Sequence, residues 1–477
     1  MTAGRSGPIR VTVAPPAAAS SMGLPPLDLR ESAAESPLAP LPCEGRGEPT
    51  PTPPPLRWAN TTAYGGASLR ITKGEYEAPS PTPRQAGGGL RRRSVLGASA
   101  GVGGLLASCG DGSLPQSLLP KAGSPLKSVA RATPSSVWSD VEPWGTNLFL
   151  HKEVEAWKRD LTVEMVRDAG ITWAKQHFPW EEIEQPRKGQ WFDAKYAQST
   201  WDKFDEIVRI ADARGLRLIA RIDRPPAWAR VDKSRPNAPP DRIEDFGDFA
   251  FQLAARYRGK VEHFQVWNEP NLGEEWTGRP DPTAYVALLR VAYKRIKEAN
   301  PNACVLAAPL AMNVEVGPIH LNEIDYLDRM YQAGAKDVCD VVSANAYGMD
   351  RPPEDPPNRA ILNFRRVELL RAVMERNGDG AKATWFNEFG WNASPRDMPR
   401  EELVWQRVTD RQQAEWTVEG VEYARQNWPW AGVFCTWYFR QVGDISPSRS
   451  EYYFRLVDPD FTPRPVYHAV RAAARAR

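Results

Sequence analysis

The chain has 477 residues, room for one large barrel with additions or for two or three average domains. A net charge of +2 leaves no electrostatic footprint for nucleic acid or another polyanion, and 25% charged with 42% hydrophobic residues is ordinary for a globular protein. Two counts stand out, 45 prolines, densest in the first ninety residues, and 18 tryptophans, placed mainly from Trp138 onward. Flat aromatic faces suit sugar rings, but for most of these tryptophans filling a large core is the better reading.

Residues 1–90 are rich in Pro, Ala, Gly and Ser and show no sustained apolar periodicity. Such a segment cannot bury enough surface to offset its ordering entropy, so it is expected to be disordered. Residues 91–109 begin with Arg91-Arg92-Arg93-Ser94-Val95-Leu96, pass through a small apolar run, and end at Leu106-Ala107-Ser108-Cys109. A basic start, a short apolar stretch and a small-residue end make a secretory signal, and the stretch is too short to span a bilayer. Its Arg92-Arg93-Ser-Val-Leu core resembles a twin-arginine export signal. The final four residues resemble a bacterial lipobox, which implies a lipid on Cys109, export, and membrane attachment through that anchor alone. A signal belongs at an N-terminus, so residues 1–90 are not expected in the mature protein. Gly97-Ala98-Ser99-Ala100-Gly101 matches the G-x-S-x-G elbow of serine hydrolases, but it lacks the flanking strand and helix and is set aside.

Residues 110–137 read as a linker, and from Trp138 the texture changes. Strands are predicted at 145–150, 172–178, 217–222, 261–267, 304–309, 338–344, 384–388 and 432–438. Helices are predicted at 153–169, 201–214, 245–257, 282–299, 323–333, 363–377, 411–426 and 465–474. In the first of these, Trp157, Leu161, Met165, Val166 and Ala169 recur at three- and four-residue steps, predicting one buried stripe ended by Gly170. Eight strand–helix alternations predict an α/β fold, a (β/α)8 TIM barrel over 138–477 behind a disordered N-terminal extension. The span exceeds the ~250 residues of a plain barrel. The longest loops are expected after strands 3, 6 and 7, at 225–241, 348–359 and 392–407, on the face where barrel sites are built.

The five cysteines are Cys43, Cys109, Cys304, Cys339 and Cys435, with no spacing that suggests a metal site or redox dithiol. Cys304, Cys339 and Cys435 read as buried thiols, and a Cys304–Cys339 bridge is left open. No metal or organic cofactor is expected.

Strand formers lead into Asn268-Glu269-Pro270 at the predicted end of strand 4 and into Asn387-Glu388 at the end of strand 7. In a closed barrel these strands lie roughly opposite, so the two glutamates would face each other across the mouth. Glycosidic cleavage needs such a pair, one carboxyl protonated to assist the leaving group and the other ionised to stabilise an oxocarbenium-like centre. A lone strand-end Glu is ordinarily a solvated loop residue or a helix cap; two Asn-Glu pairs at strands 4 and 7 are a stronger pattern.

Trp267-Asn268-Glu269-Pro270 and Asn387-Glu388-Phe389-Gly390-Trp391 resemble the clan A glycoside hydrolases, particularly families 39 and 5. Residues 170–180, Glu184 and 189–193 resemble the strand 2 region of those enzymes, and Arg224-Pro225-Pro226-Ala227-Trp228-Ala229 the loop after strand 3. Asn345-Ala346-Tyr347-Gly348 resembles the end of strand 6 and Trp437 the strand 8 aromatic, so the likeness covers about 138–470. It implies Glu269 as general acid/base and Glu388 as nucleophile, with retention through a glycosyl-enzyme on β-linked glycans. It further implies Asn268 on the sugar 2-hydroxyl, Tyr347 bonded to Glu388, and Trp437 beneath the ring. Lys175 stands where the family often has Arg and offers a point charge rather than a planar fork. Where strand 3 often carries His, this chain has Arg221, Asp223 and Arg224.

Competing readings remain beside these. Trp437 and Tyr347 would serve equally as core residues, with Trp385 or Trp391 as the sugar platform. Lys175 and His177 are read as alternating sides of their strand, only one facing the barrel axis, with His177 structural. Glu274 and Glu275 read as solvated loop residues. A glycan-binding barrel without hydrolysis would keep the aromatics and lose a glutamate, and a transglycosylase would share every residue named. The partner implied is a carbohydrate substrate, not nucleic acid. Sugar, linkage and oligomeric state are not set by these patterns.

Overall fold

The computed structural model describes residues 131–443 and 445–476; the expected extension at 1–90, the signal with Cys109 and most of the 110–137 linker lie outside the described residues. Eight strands carry the domain: β1 Trp144–Leu148, β2 Trp173–Pro179, β3 Arg217–Asp223, β4 His263–Val266, β5 Cys304–Ala307, β6 Val342–Tyr347, β7 Thr384–Gly390 and β8 Ala431–Thr436. They pair in parallel in the order β5-β4-β3-β2-β1-β8-β7-β6. Single bridges from Leu306 to Val341 and from Leu310 to Ala344 bring β5 beside β6 and nearly close the ring. The helices longer than one turn are α1 Ala156–Asp168, α2 Trp201–Ala213, α3 Ile243–Arg256, α4 Pro282–Ala299, α5 Glu323–Gln332, α6 Val367–Arg376, α7 Asp410–Asn427 and α8 Pro465–Arg475. This is the (β/α)8 TIM barrel expected from the alternation.

Local chemistry sets several boundaries. Asp281 caps α4 by accepting from the Ala284 N–H, with Pro282 in the first turn, and Thr409 and Gln412 form a capping box at the start of α7. β6 begins at Val342 rather than 338 because Ala335–Asp337 forms a 3-10 turn first. The stripe predicted for α1 is displaced. Trp157 is 58% exposed, and Arg159, Thr162, Val163 and Val166 face inward. Periodicity misjudged this helix because Arg159, which reaches Glu206 and the Glu153 carbonyl, occupies a place on the inner face. The loops after β3, β6 and β7 are long, as expected, but the longest connection is 437–464, after β8.

Residues two apart on a strand share a face. Along β2, Trp173 and Lys175 therefore point into the barrel, while Ala174 and Phe178 pack against the helices. The lower interior is apolar, filled by Trp173, Ile219, Leu306, Trp385, Val433 and Cys435. Trp385 is fully buried there, edge-on to Trp173, with its indole N–H on the Trp138 carbonyl at 2.7 Å. It cannot be a sugar platform. Cys304, Cys339 and Cys435 are buried free thiols, so Cys304 and Cys339 are not bridged. Among the described residues no helix is long and apolar enough to cross a membrane.

Candidate active site

Above the apolar plug the barrel interior turns polar, and both Asn-Glu pairs lie in that layer. β4 ends at Val266, after which Trp267 and Glu269 adopt φ of 73° and 45°. Left-handed backbone at two non-glycine residues costs about 1–3 kcal/mol each and persists where surroundings over-determine it. The surroundings do so here. The Trp267 N–H donates to the Ile222 carbonyl at 2.9 Å and the Glu269 N–H to that of Pro309 at 3.0 Å. The Trp267 ring packs outward between Phe246 and Trp276, its indole N–H on the Glu275 carbonyl at 2.9 Å.

On β7 a bulge does the aiming. Ala344 pairs with Phe386 but Asn345 with Glu388, and on the other side Phe434 pairs with Phe386 but Thr436 with Phe389. One extra residue is thus accommodated at Asn387. Strict alternation would send Asn387 and Glu388 to opposite faces; the bulge lets both join the polar interior while Phe386 and Phe389 pack outward.

Glu388 is 4% exposed and receives three donors. Lys175 Nζ lies 2.9 Å from Oε1, the Tyr347 hydroxyl 2.8 Å from Oε2, and Asn345 Nδ2 3.5 Å from Oε2. The same Asn345 nitrogen donates to Glu269 Oε1 at 2.7 Å. The two carboxylate oxygens can therefore be no farther apart than the sum of 2.7 and 3.5 Å, which falls short of the ~6.5–9.5 Å of inverting glycosidases. Beneath them, Asn387 Nδ2 donates to Gln265 Oε1 at 2.6 Å, and Gln265 Nε2 reaches the Trp267 carbonyl at 2.7 Å and Asn268 Oδ1 at 3.3 Å. One side-chain chain thus ties both Asn-Glu segments together. Asn147 supports it from β1, donating to the Asn387 carbonyl at 2.9 Å.

Electrostatics bears on Glu269. Burial pushes the Glu269 carboxyl well above the usual range, and the charges of Glu388 and Glu275 add to this against the opposing pull of Asn345 and Lys175. Glu269 is thereby held toward its protonated form while Lys175 sits on Glu388. Burial, then Glu388 and Glu269, push the Tyr347 phenol well up, so it stays a donor.

A cleft of about 440 Å³ opens over Lys175, the residue bonded to Glu388, with His177, Arg221, Arg224, Phe149 and Trp437 also in its wall. Trp437 presents an aromatic face there, 5.9 Å from the Lys175 ammonium. Trp391 does not belong to this wall. It is 1% exposed, donates to the Arg351 carbonyl at 2.7 Å, and lies so close over Gly348 that a Cβ there would meet its ring at 1.9 Å. It is a core residue supporting the β6 end.

Lys175 and His177 are not on opposite sides of β2. Two residues apart, they share a face, and both reach the cleft. His177 pairs with Asp223, which also accepts from Arg221 Nε at 2.7 Å. Burial lowers the His177 imidazole to about 4 despite Asp223; Arg221 and His177 hold the Asp223 carboxyl well below the usual range although burial alone would raise it. Glu275 is not a solvated loop residue either. It is 3% exposed and its charge reaches Glu269, whereas Glu274 stays near the surface beside His320. Asn345 was not foreseen as part of the site; alternation from Tyr347 puts it on the same face and would have found it. Gln265 has no comparable signal. Among the described residues no cluster of His, Cys, Asp and Glu is arranged to hold a metal ion.

Residues 130–316 match the family model of Cellulase (glycosyl hydrolase family 5). No curated protein matches the chain. Among solved structures it is similar to a family 39 glycoside hydrolase from the gut symbiont Bacteroides cellulosilyticus WH2, with 21% identity, 70% of this chain and 64% of that chain covered, and a TM-score of 0.52. The match thus spans under two thirds of that protein's length. It is also similar to the GH39 enzyme from Xanthomonas axonopodis pv. citri, at 16% identity, 72% and 67% coverage and a TM-score of 0.51. A glucosidase from Croceicoccus marinus aligns at 14% identity, 72% and 69% coverage and a TM-score of 0.50. The structural likenesses carry the fold, and the family match supports a glycosidase.

Proposed function

We propose that the chain is a retaining glycoside hydrolase acting on β-linked glycans or oligosaccharides, with Glu269 as general acid/base and Glu388 as nucleophile. The observation that carries this reading is the single Asn345 amide within 3.5 Å of both carboxylates, which keeps them close enough to serve one anomeric carbon. In the first step the Glu388 carboxylate attacks that carbon while Glu269 gives its proton to the departing oxygen. The bond to the aglycone breaks and a glycosyl ester forms on Glu388. In the second step Glu269, now ionised, takes a proton from water as the water oxygen attacks the same carbon, and Glu388 leaves as carboxylate.

The surroundings support these roles. Lys175 and Tyr347 donate to Glu388, and esterification of Glu388 removes the charge that helped hold the proton on Glu269. Asn268 would take the 2-hydroxyl, and Trp437 would stack under the ring. Hydrolysis of aryl β-glycosides tests the assignment. Glu388→Ala is expected to abolish turnover, and Glu269→Ala to slow poor leaving groups most, with partial rescue by azide. Equal losses for good and poor leaving groups in Glu269→Ala would refute its role. A transglycosylase would give acceptor-linked products in place of free sugar. Export, with lipidation at Cys109, completes the proposal.

A further inference from the structure

The cleft that Lys175 and Trp437 line carries more positive charge than a two-carboxylate mechanism needs. Lys152, Lys175, Arg221 and Arg224 line it, against the carboxylates Glu181 and Glu182. Most of this charge is engaged. Lys175 sits on Glu388 at 2.9 Å, Arg221 on Asp223 at 2.7 Å, and Glu182 takes Lys203 at 2.7 Å. Arg224 differs. It is only 8% exposed, yet among the described residues its guanidinium makes no ion pair and no side-chain hydrogen bond. Glu181 and Asp223 feel its charge without pairing to it.

Its position is held. The backbone is left-handed, at a φ of 58°, and the Arg224 carbonyl accepts the Glu181 N–H at 2.8 Å, joining the ends of β2 and β3. Lining the cleft without a protein partner, the guanidinium is open to an anion that arrives with matching geometry. A planar guanidinium is suited to two parallel hydrogen bonds with a carboxylate or sulfate. Its neighbour Arg221 is committed to Asp223 and adds only field.

We propose that Arg224 binds an anionic substituent of the substrate sugar, a uronate carboxylate or a sulfate ester, in the cleft it shares with Lys175 and Trp437. As a statement about substrate this rests on the glycosidase reading, but binding is measurable without turnover. Titration calorimetry with glucuronate, galacturonate, glucose 6-sulfate and the neutral parent sugars, on the intact protein and on Arg224→Gln and Arg224→Lys, tests it. The anionic sugars should bind at least about tenfold more tightly than their parents, and Arg224→Gln should reduce that preference roughly ten- to hundredfold, with Arg224→Lys between. Tighter binding of uronates than of the sulfate identifies a carboxylate as the natural group, and the reverse order a sulfate. Neutral sugars binding as well as anionic ones, or a preference that survives Arg224→Gln, would overturn the proposal. The preference of the unaltered protein is decisive even if a variant fails to fold. Hydrolysis of neutral aryl glycosides with no anionic preference would sink this site and spare the glycosidase; anion binding without hydrolysis of any glycoside would do the opposite.

Discussion

Replacing Glu388 by Gln keeps the side-chain shape and removes one negative charge. The Asn345 contacts of 2.7 and 3.5 Å put that charge about 6 Å or less from Glu269. At an effective dielectric constant of about 20, two unit charges about 6 Å apart repel by about 3 kcal/mol. The carboxyl of Glu269 should therefore titrate lower in Glu388→Gln, while the burial contribution stays. Carboxyl carbon NMR titration reads this directly, with Glu269 assigned by its loss in Glu269→Gln. Stability carries the same signature. The raised carboxyl binds its proton more tightly folded than unfolded, so its contribution is fully present below the unfolded value of about 4.3 and is lost as pH rises through the folded value. Glu269→Gln should then gain stability relative to the parent across that window in chemical denaturation. An unchanged or higher Glu269 titration in Glu388→Gln would mean that the two groups do not sense each other, and the shared site would be refuted.

Tyr347→Phe removes a hydrogen bond to a carboxylate, so kcat on aryl glycosides should fall by a factor corresponding to about 1.5–3 kcal/mol; a loss confined to KM would contradict the support assigned to this hydroxyl. Trp391→Ala should cost about 3–5 kcal/mol of stability in denaturant melts and leave KM near its parent value. A large KM change at unchanged stability would return Trp391 to the substrate. On the proposed export and lipidation, Cys109→Ser should move the protein from the membrane fraction to the soluble one, read by fractionation, and retention on the membrane would exclude lipidation there.

The barrel was legible because eight parallel strands buried on both faces leave continuous apolar runs in the sequence, separated by amphipathic helices. The two glutamates were legible because Asn-Glu recurs at strand ends. What alternation could not convey was the bulge at Asn387, which depends on registers with β6 and β8 on both sides. Nor could it convey the reach of Gln265 across the interior to Asn387. Lys175 and His177, two apart, share a face, and Gly348 beneath Trp391 signals close packing and not a sugar platform. Glu275 follows an ordinary loop pattern, and only the folded loop shows it buried beside the Trp267 indole.

Following the anomeric configuration of the first-formed sugar by proton NMR, before mutarotation, tests the central claim most directly. Two carboxylates spanned by one Asn345 amide predict a product with the configuration of the glycoside consumed. A first product of inverted configuration would require room for a water molecule between them and would contradict the account.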